Sequence, residues 1–395
     1  MVLGARSLRG FGAGFLAVLI GPYLEQRGFQ PLEVGVTLAA SVLGTALATA
    51  LAARVSIAAG RRRAICGASL LGIVAMAVFV YSPSFPALVL AALTGTMAIT
   101  GSDYGLPTTV EQAIVPQLCS PTQRNRFFGR YNLVNGLSAS LGGLAASPAA
   151  LLQSRIWPDQ PLGRPYLWLY MLLMLAVAIL AVSLSPAVES HSDEPQVGWR
   201  SLDRPVWNLA GLFAIDAIGG GFVLPSFIPY WLHLRYGASP SLLGPLFFGA
   251  GLLQASSYVV AARLADRIGL VKTMVFTHLP SNLLLLVLPL APTFWVAALV
   301  VLARQAISSM DVPARQAYVM SVVRPNQRAA AAGLTITSRN LAQTLSPAIG
   351  GLAVQLGNLA LPLALGGSIK IVYDLALYRG FRARLADHET AEHET

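Results

Sequence analysis

Charged side chains make up only 11% of this 395-residue chain, where a soluble domain carries about a quarter. With a mean hydropathy of +0.63, that scarcity excludes a water-soluble globular protein. Cysteine is nearly missing. Cys66 and Cys119 are its two copies, too few for a disulfide framework or a thiolate-bound metal cluster. The five histidines, at 191, 233, 278, 388 and 393, are scattered, and the last two fall in an acidic tail that reads as solvated. No P-loop-type motif occurs, which argues against direct use of ATP. The longest polar stretch inside the chain, 186–206, is too short for a catalytic or sensory soluble domain. No metal and no cofactor are expected.

What fills the chain instead is apolar sequence, 55% of all residues, in runs of about 20 that each suffice to cross roughly 30 Å of hydrocarbon. Twelve spans are predicted, at 8–25, 33–56, 64–82, 85–116, 128–152, 165–185, 207–232, 240–262, 271–290, 293–322, 329–353 and 356–377. Continuous runs of this length predict helices, because barrel strands are shorter and alternate. The first run is a full span and lacks a small-residue cleavage pattern. The expected organisation is an N-terminal six-helix bundle over 1–185, a cytoplasmic linker over 186–206, a C-terminal six-helix bundle over 207–378 and a cytoplasmic tail over 379–395.

Basic residues set the orientation. With the N-terminus in the cytoplasm, 20 of the 27 lie in cytoplasmic loops, termini or nearby helix ends. Arg27, Arg155, Arg164 and Arg235 fall outside, and Arg304, Arg339 and Lys370 lie within spans. Both termini are therefore expected inside. The same distribution explains the net charge of +10 without nucleic acid. Topology and contact with anionic lipid account for it.

The two halves also repeat each other. Glu111-Gln112-Ala113 leads to Pro121-Thr122-Gln123-Arg124, and Arg315-Gln316-Ala317 leads by the same spacing to Pro325-Asn326-Gln327-Arg328. A Gly14-Phe15 pair recurs as Gly221-Phe222, which sets Arg9 opposite Asp216. Two duplicated positions thus carry opposite charges in the two copies. An internal repeat of about 200 residues is how many carriers are built, and ionisable groups inside a membrane mark function.

The loop after the eighth span reads Ala262-Arg263-Leu264-Ala265-Asp266-Arg267-Ile268-Gly269-Leu270-Val271-Lys272. It resembles the signature loop of the major facilitator superfamily. The resemblance implies an all-α membrane fold of twelve transmembrane helices in two pseudo-symmetric six-helix bundles. It extends over nearly the whole chain and is similar to a poorly characterised bacterial branch through Met310-Asp311-Val312-Pro313-Ala314-Arg315-Gln316 and Lys370-Ile371-Val372-Tyr373-Asp374. The first-half loop departs from the pattern, with Ile57 where the family has Asp, before Gly60-Arg61-Arg62-Arg63. Asp266, Arg267, Gly269, Gly60 and Arg61 are the expected gating-loop residues. Ser346-Pro347-Ala348-Ile349-Gly350-Gly351 resembles the kink of facilitator helices and points weakly to efflux.

The resemblance also implies that spans 1, 4, 7 and 10 line a central cavity. They carry Arg9, Asp103, Glu111, Asp216, Arg304, Asp311 and Arg315, which with Arg339 of span 11 are the candidate substrate and proton residues. Equal depths predict Arg9 paired with Glu111 and Asp216 paired with Arg315. Asp216 and Asp311 are the favoured proton sites. Lys370 and Asp374, four apart, predict an intrahelical pair, and Arg339 is expected to pair with Asp311 or Asp374. The alternative for all of these is purely structural neutralisation.

The sequence thus predicts a secondary transporter of a small molecule working by alternating access, with proton-coupled efflux ahead of proton-coupled uptake. It predicts a monomer in the lipid bilayer of the bacterial inner membrane. A non-transporting sensor or membrane enzyme is the competing class. An enzyme would need a clustered nucleophile or metal constellation, and none is evident in the sequence.

Overall fold

A computed structural model describes residues 1–101, 105–118, 121–156, 164–189, 202–322 and 328–392. Asp103 lies outside them. Among the described residues the regular structure is helical throughout, in sixteen α-helices that form the twelve spans.

Eight spans are single helices. They are α1 (Val2–Gln26), α2 (Pro31–Ala59), α3 (Arg61–Tyr81), α6 (Pro121–Ile156), α7 (Arg164–Val182), α10 (Pro240–Ile268), α11 (Leu270–Val287) and α16 (Leu361–Glu392). The other four, expected as continuous helices, are interrupted. Span 4 divides into α4 (Phe85–Leu93) and α5 (Leu106–Leu118), and span 7 into α8 (Arg204–Gly221) and α9 (Phe227–Tyr236). Span 10 divides into α12 (Phe294–Gln305) and α13 (Asp311–Val322), and span 11 into α14 (Arg328–Gln343) and α15 (Ser346–Gln355).

The breaks have chemical causes. Proline cannot donate to the carbonyl four residues before it and clashes with it. Pro229, Pro313 and Pro347 therefore break their helices about one turn upstream, near 225, 309 and 343. In span 4 the chain turns through Gly95, Gly101 and Gly105, all at positive φ, which glycine adopts without steric cost.

The contacts fall into two compact units. The first comprises Met1–Asp193, Val223–Leu252 and Thr344–Leu359, and the second Glu194–Phe222, Leu253–Gln343 and Ala360–Thr395.

In the first unit α1 packs on α6 through small residues. A Cβ on Gly14 would overlap the Ala139 carbonyl, and one on Gly142 would overlap that of Phe11. Lipid is as apolar as leucine, so such close van der Waals packing and polar bonds, rather than apolar burial, hold spans together. The same unit includes segments from the second half of the sequence. Gly35 of α2 and Gly351 of α15 face each other, with each Cα 3.0 Å from where a Cβ on the other would lie. Trp231 Nε1 donates to the Leu359 carbonyl at 2.7 Å, and Ser147 Oγ donates to the Ser241 carbonyl at 3.0 Å.

The second unit has its own core, in which Leu209 and Phe213 of α8, Met274 of α11, Leu334 of α14 and Tyr373 and Leu377 of α16 are all buried. Asp216, His278, Arg339, Lys370 and Asp374 lie on these same helices.

Candidate functional site

Asp216 stands twelve residues into α8, about 18 Å along the helix axis from Arg204. It shares the buried face of α8 with Leu209, Phe213 and Gly219 and is itself 1% exposed. Three cations from three other helices converge on it. Lys370 Nζ of α16 donates to Oδ1 at 2.6 Å, Arg339 Nη1 of α14 to Oδ2 at 2.8 Å, and Arg315 Nη1 of α13 to Oδ2 at 3.4 Å. Arg315 also donates to Asp311 Oδ2 at 2.8 Å, one turn back on its own helix. Its guanidinium lies 5.6 Å from the Phe213 ring centroid. One carboxylate thus ties together α8, α13, α14 and α16. A carboxylate in hydrocarbon is expensive unless paired, and this one is paired three times.

The glycines after Asp216 have a specific role. A Cβ on Gly219 would stand 2.8 Å from Lys370 Cγ and 2.9 Å from the Gly366 carbonyl oxygen. Its absence lets the lysine stem pass across α8. At Gly220 the nearest atom to such a Cβ is Lys370 Nζ at 3.8 Å, an ordinary contact.

Lys370 does not neutralise Asp374, although the two are one turn apart on α16. Asp374, 0% exposed, accepts from His278 Nδ1 at 2.8 Å and from Asn282 Nδ2 at 2.9 Å, both on α11. His278 Nε2 faces Asp216 Oδ1 at 3.8 Å, so the imidazole lies between the two carboxylates. Arg339 likewise takes neither expected partner and goes to Asp216. His278, one of the scattered histidines, and Asn282 were not among the site residues expected from the sequence. The available signal was their i, i+4 spacing with Ser281 between them, a polar stripe in an otherwise apolar span.

The first unit holds the related pair. Arg9 of α1 grips Glu111 of α5 with two parallel bonds, Nη1 to Oε1 at 2.7 Å and Nη2 to Oε2 at 2.6 Å. Tyr131 of α6 donates to Oε2 at 2.7 Å. Arg6, one turn before Arg9, donates to Thr108 Oγ1 at 2.9 Å and lies 4.6 Å from the Tyr131 ring centroid. Both pairings expected from the repeat are present. The polarity is reversed, with the base on span 1 and the acid on span 4 in one half, and the acid on span 7 and the base on span 10 in the other. The surroundings differ too, since among the described residues one cation pairs with Glu111 and three with Asp216.

Arg304, at the end of α12, is not brought into either cluster. Its Nη1 donates to Gln305 Oε1 at 3.0 Å, and its Nε is buried without an acceptor among the described residues.

At the signature loops, Gly60 and Gly269 occupy matching turns with φ of 86° and 85°, each preceding a helix. Asp266 and Arg267 are exposed. Arg61 is buried, and its Nη1 donates to the Val188 carbonyl at 2.9 Å. Glu189, which the sequence placed in the linker over 186–206, accepts from the backbone N–H of Arg61 at 2.7 Å and of Arg62 at 3.1 Å. It caps α3, favourable both for the orphan donors and for the positive end of the helix dipole.

The model of the Major Facilitator Superfamily matches residues 2–347 and 209–393. An uncharacterized membrane protein of Saccharomyces cerevisiae is 20% identical over 381 residues, covering 87% of this chain and 85% of that protein. The fold is similar to that of the D-xylose-proton symporter, with a TM-score of 0.74 at 15% identity over 95% of this chain and 96% of that one. The nucleoside transporter NupG gives 0.73 at 13% identity over 96% and 98%. The human organic anion transporter MFSD10 gives 0.65 at 18% identity over 95% and 98%.

Proposed function

Given that the chain belongs to the major facilitator superfamily, we propose that it is a secondary transporter moving a small molecule by alternating access, and that it exports this molecule in exchange for protons. The observation that carries this reading is Asp216, a fully buried carboxylate held by cations from α13, α14 and α16. Such a network is more than neutralisation requires, since among the described residues Glu111 is paired with one cation. Several alternative partners allow one pairing to be exchanged for another, and a protonated carboxyl can stand in for a broken pair. The interrupted spans 4, 7, 10 and 11 supply the discontinuous helices from which carriers build their central sites.

Export is favoured over uptake by the Ser346–Gly351 kink, which opens α15 and brings Gly351 against Gly35. The proposed orientation places both termini in the cytoplasm, from the distribution of basic residues, and the proposed working unit is a monomer. The membrane was expected to be bacterial. Similarity to a yeast membrane protein removes the reason to confine it to bacteria.

The test is reconstitution into liposomes with an imposed pH gradient and a panel of labelled small molecules, with transport followed in both directions. Accumulation of at least one compound opposite to the proton flow supports proton-driven export. Accumulation with the proton flow would replace it by uptake, and equilibration unaffected by the gradient would remove the proton.

A further inference from the structure

The charges gathered around Asp216 in the second unit do not close pairwise. Asp216, Asp311 and Asp374 face three fixed cations, Arg315, Arg339 and Lys370. All three cations lie within ion-pair distance of Asp216, and Arg315 also reaches Asp311. Among the described residues none is within that distance of Asp374, whose partners are His278 and Asn282. Yet Asp374 is 0% exposed and His278 4% exposed. An ionised carboxylate buried without a cation is strongly disfavoured. The pair has one inexpensive way out, which is to hold a proton between them.

The bonding defines where that proton sits. With Asp374 ionised, its oxygens only accept, so His278 Nδ1 must carry hydrogen and donate to Oδ1. Asn282 Nδ2 donates to Oδ2 and fixes the carboxylate plane. A second hydrogen on the ring then lies on Nε2, which faces Asp216 Oδ1 at 3.8 Å, an oxygen already held by Lys370 Nζ at 2.6 Å. The Tyr373 ring stands edge-on to the imidazole at 6.0 Å between centroids, inclined at 84°, and limits its tilt.

We propose that His278 and Asp374 form a proton-binding site inside the membrane and that Asp216 is its exchange partner. When Lys370 withdraws from Oδ1, the proton on Nε2 of the imidazolium passes to Asp216. The ring is left neutral with Nδ1–H still bonded to Asp374, and the vacated lysine charge is offset by protonation rather than by a new ion pair. Charge and protons balance, because one proton moves between two groups of the same cluster. The charged and titratable groups on the surrounding helices include Asp216 on α8, Arg304 on α12, Asp311 and Arg315 on α13, Arg339 on α14, and Lys370 and Tyr373 on α16. Asp216 is the one among them facing Nε2 within ion-pair distance.

This assignment rests on the proton-coupled reading above but is tested without a substrate. Infrared difference spectra of the purified full-length protein are recorded across pH, together with distances between spin labels on the proposed cytoplasmic ends of α6 and α14. The variants are His278→Gln, Asp374→Asn, Asp216→Asn and Asn282→Leu. The last removes a bond to Asp374 without removing a titratable group, so it remains informative if either of the first two fails to fold. The expected result is a carboxyl or imidazole signal that titrates in the wild type, is lost in Asp374→Asn and His278→Gln, and shifts its midpoint in Asn282→Leu. A signal that survives both of those substitutions but disappears in Asp216→Asn overturns the assignment, as does a midpoint unmoved by Asn282→Leu. A titrating signal with the predicted variant pattern but no pH-dependent change in distance supports the site and removes the proton coupling of transport.

Discussion

Lys370 reaches across from α16 to Asp216 of α8 at 2.6 Å and leaves Asp374, one turn away on its own helix, to a histidine. The two halves of the sequence therefore use their repeated charges differently. In the first, Arg9 and Glu111 close a two-pronged pair that Tyr131 completes. In the second, the acid has moved to the position of Arg9 and has collected three cations and an imidazole. The first pair joins span 1 to span 4. The second cluster has the spare partners that a moving element requires.

Lys370→Met should destabilise the protein. It removes the closest cation from a buried carboxylate, a class of change costing about 3–5 kcal/mol when no partner remains, and less here because Arg339 and Arg315 stay. Combined with Asp216→Asn, the loss should fall short of the sum of the two, with a coupling of about 0.5–3 kcal/mol. Thermal unfolding in detergent measures this. Strict additivity would mean the pair contributes nothing.

Gly219→Ala and Gly220→Ala form a matched test of the passage for Lys370. The first should displace the lysine and mimic Lys370→Met, because its Cβ would meet Cγ at 2.8 Å. The second should be nearly silent in the melting temperature of the purified protein. Equal effects of the two alanines would show that helix propensity, not the lysine, governs this segment.

Swapping Arg9 and Glu111 tests the reversed polarity. Arg9→Glu and Glu111→Arg should each lower expression and stability, by about 3–5 kcal/mol where a buried charge loses its partner. The double swap should recover part of the loss, since the membrane constrains the sum of charges more than their order. Recovery is incomplete because Tyr131 loses its acceptor. A double variant no better than either single would contradict this pairing.

Glu189→Ala should loosen the start of α3 by about 0.5–2 kcal/mol, as loss of an N-terminal cap does. Hydrogen exchange at the amides of Arg61 and Arg62 should rise, with little change at Asp266. Unchanged exchange at those amides would make the Glu189 contact incidental. By the same logic the first-half loop, which lacks the family Asp at Ile57, has found its carboxylate 132 positions further along the sequence.

The spans were legible because an uninterrupted apolar run leaves the backbone no choice but helix in lipid. Of the breaks, the one in span 11 was legible as the Ser346–Gly351 kink, whereas Pro313 acts one turn before itself and left the break in span 10 unmarked. Arg9–Glu111 and Asp216–Arg315 were readable from the repeat, which places equivalent residues at equal depth. Lys370 was misassigned because the i, i+4 rule describes a solvated helix surface, whereas a neighbouring helix with a glycine at the crossing offers a closer acid. His278 read as one of five scattered histidines because its partner Asp374 is 96 residues away. Nothing in local spacing links the two.

Proton coupling of transport at the Asp216 cluster, as proposed, is open to a direct experiment. Its most direct measurement compares wild type and Asp216→Asn in proteoliposomes, using a compound the wild type moves, in two modes. One mode is accumulation driven by a pH gradient, and the other is exchange of labelled for unlabelled compound with no gradient. Asp216→Asn is expected to lose gradient-driven accumulation while exchange continues, because a neutral side chain imitates the protonated state but cannot cycle. Accumulation at the wild-type level in Asp216→Asn, still abolished by an ionophore that collapses the pH gradient, would contradict it.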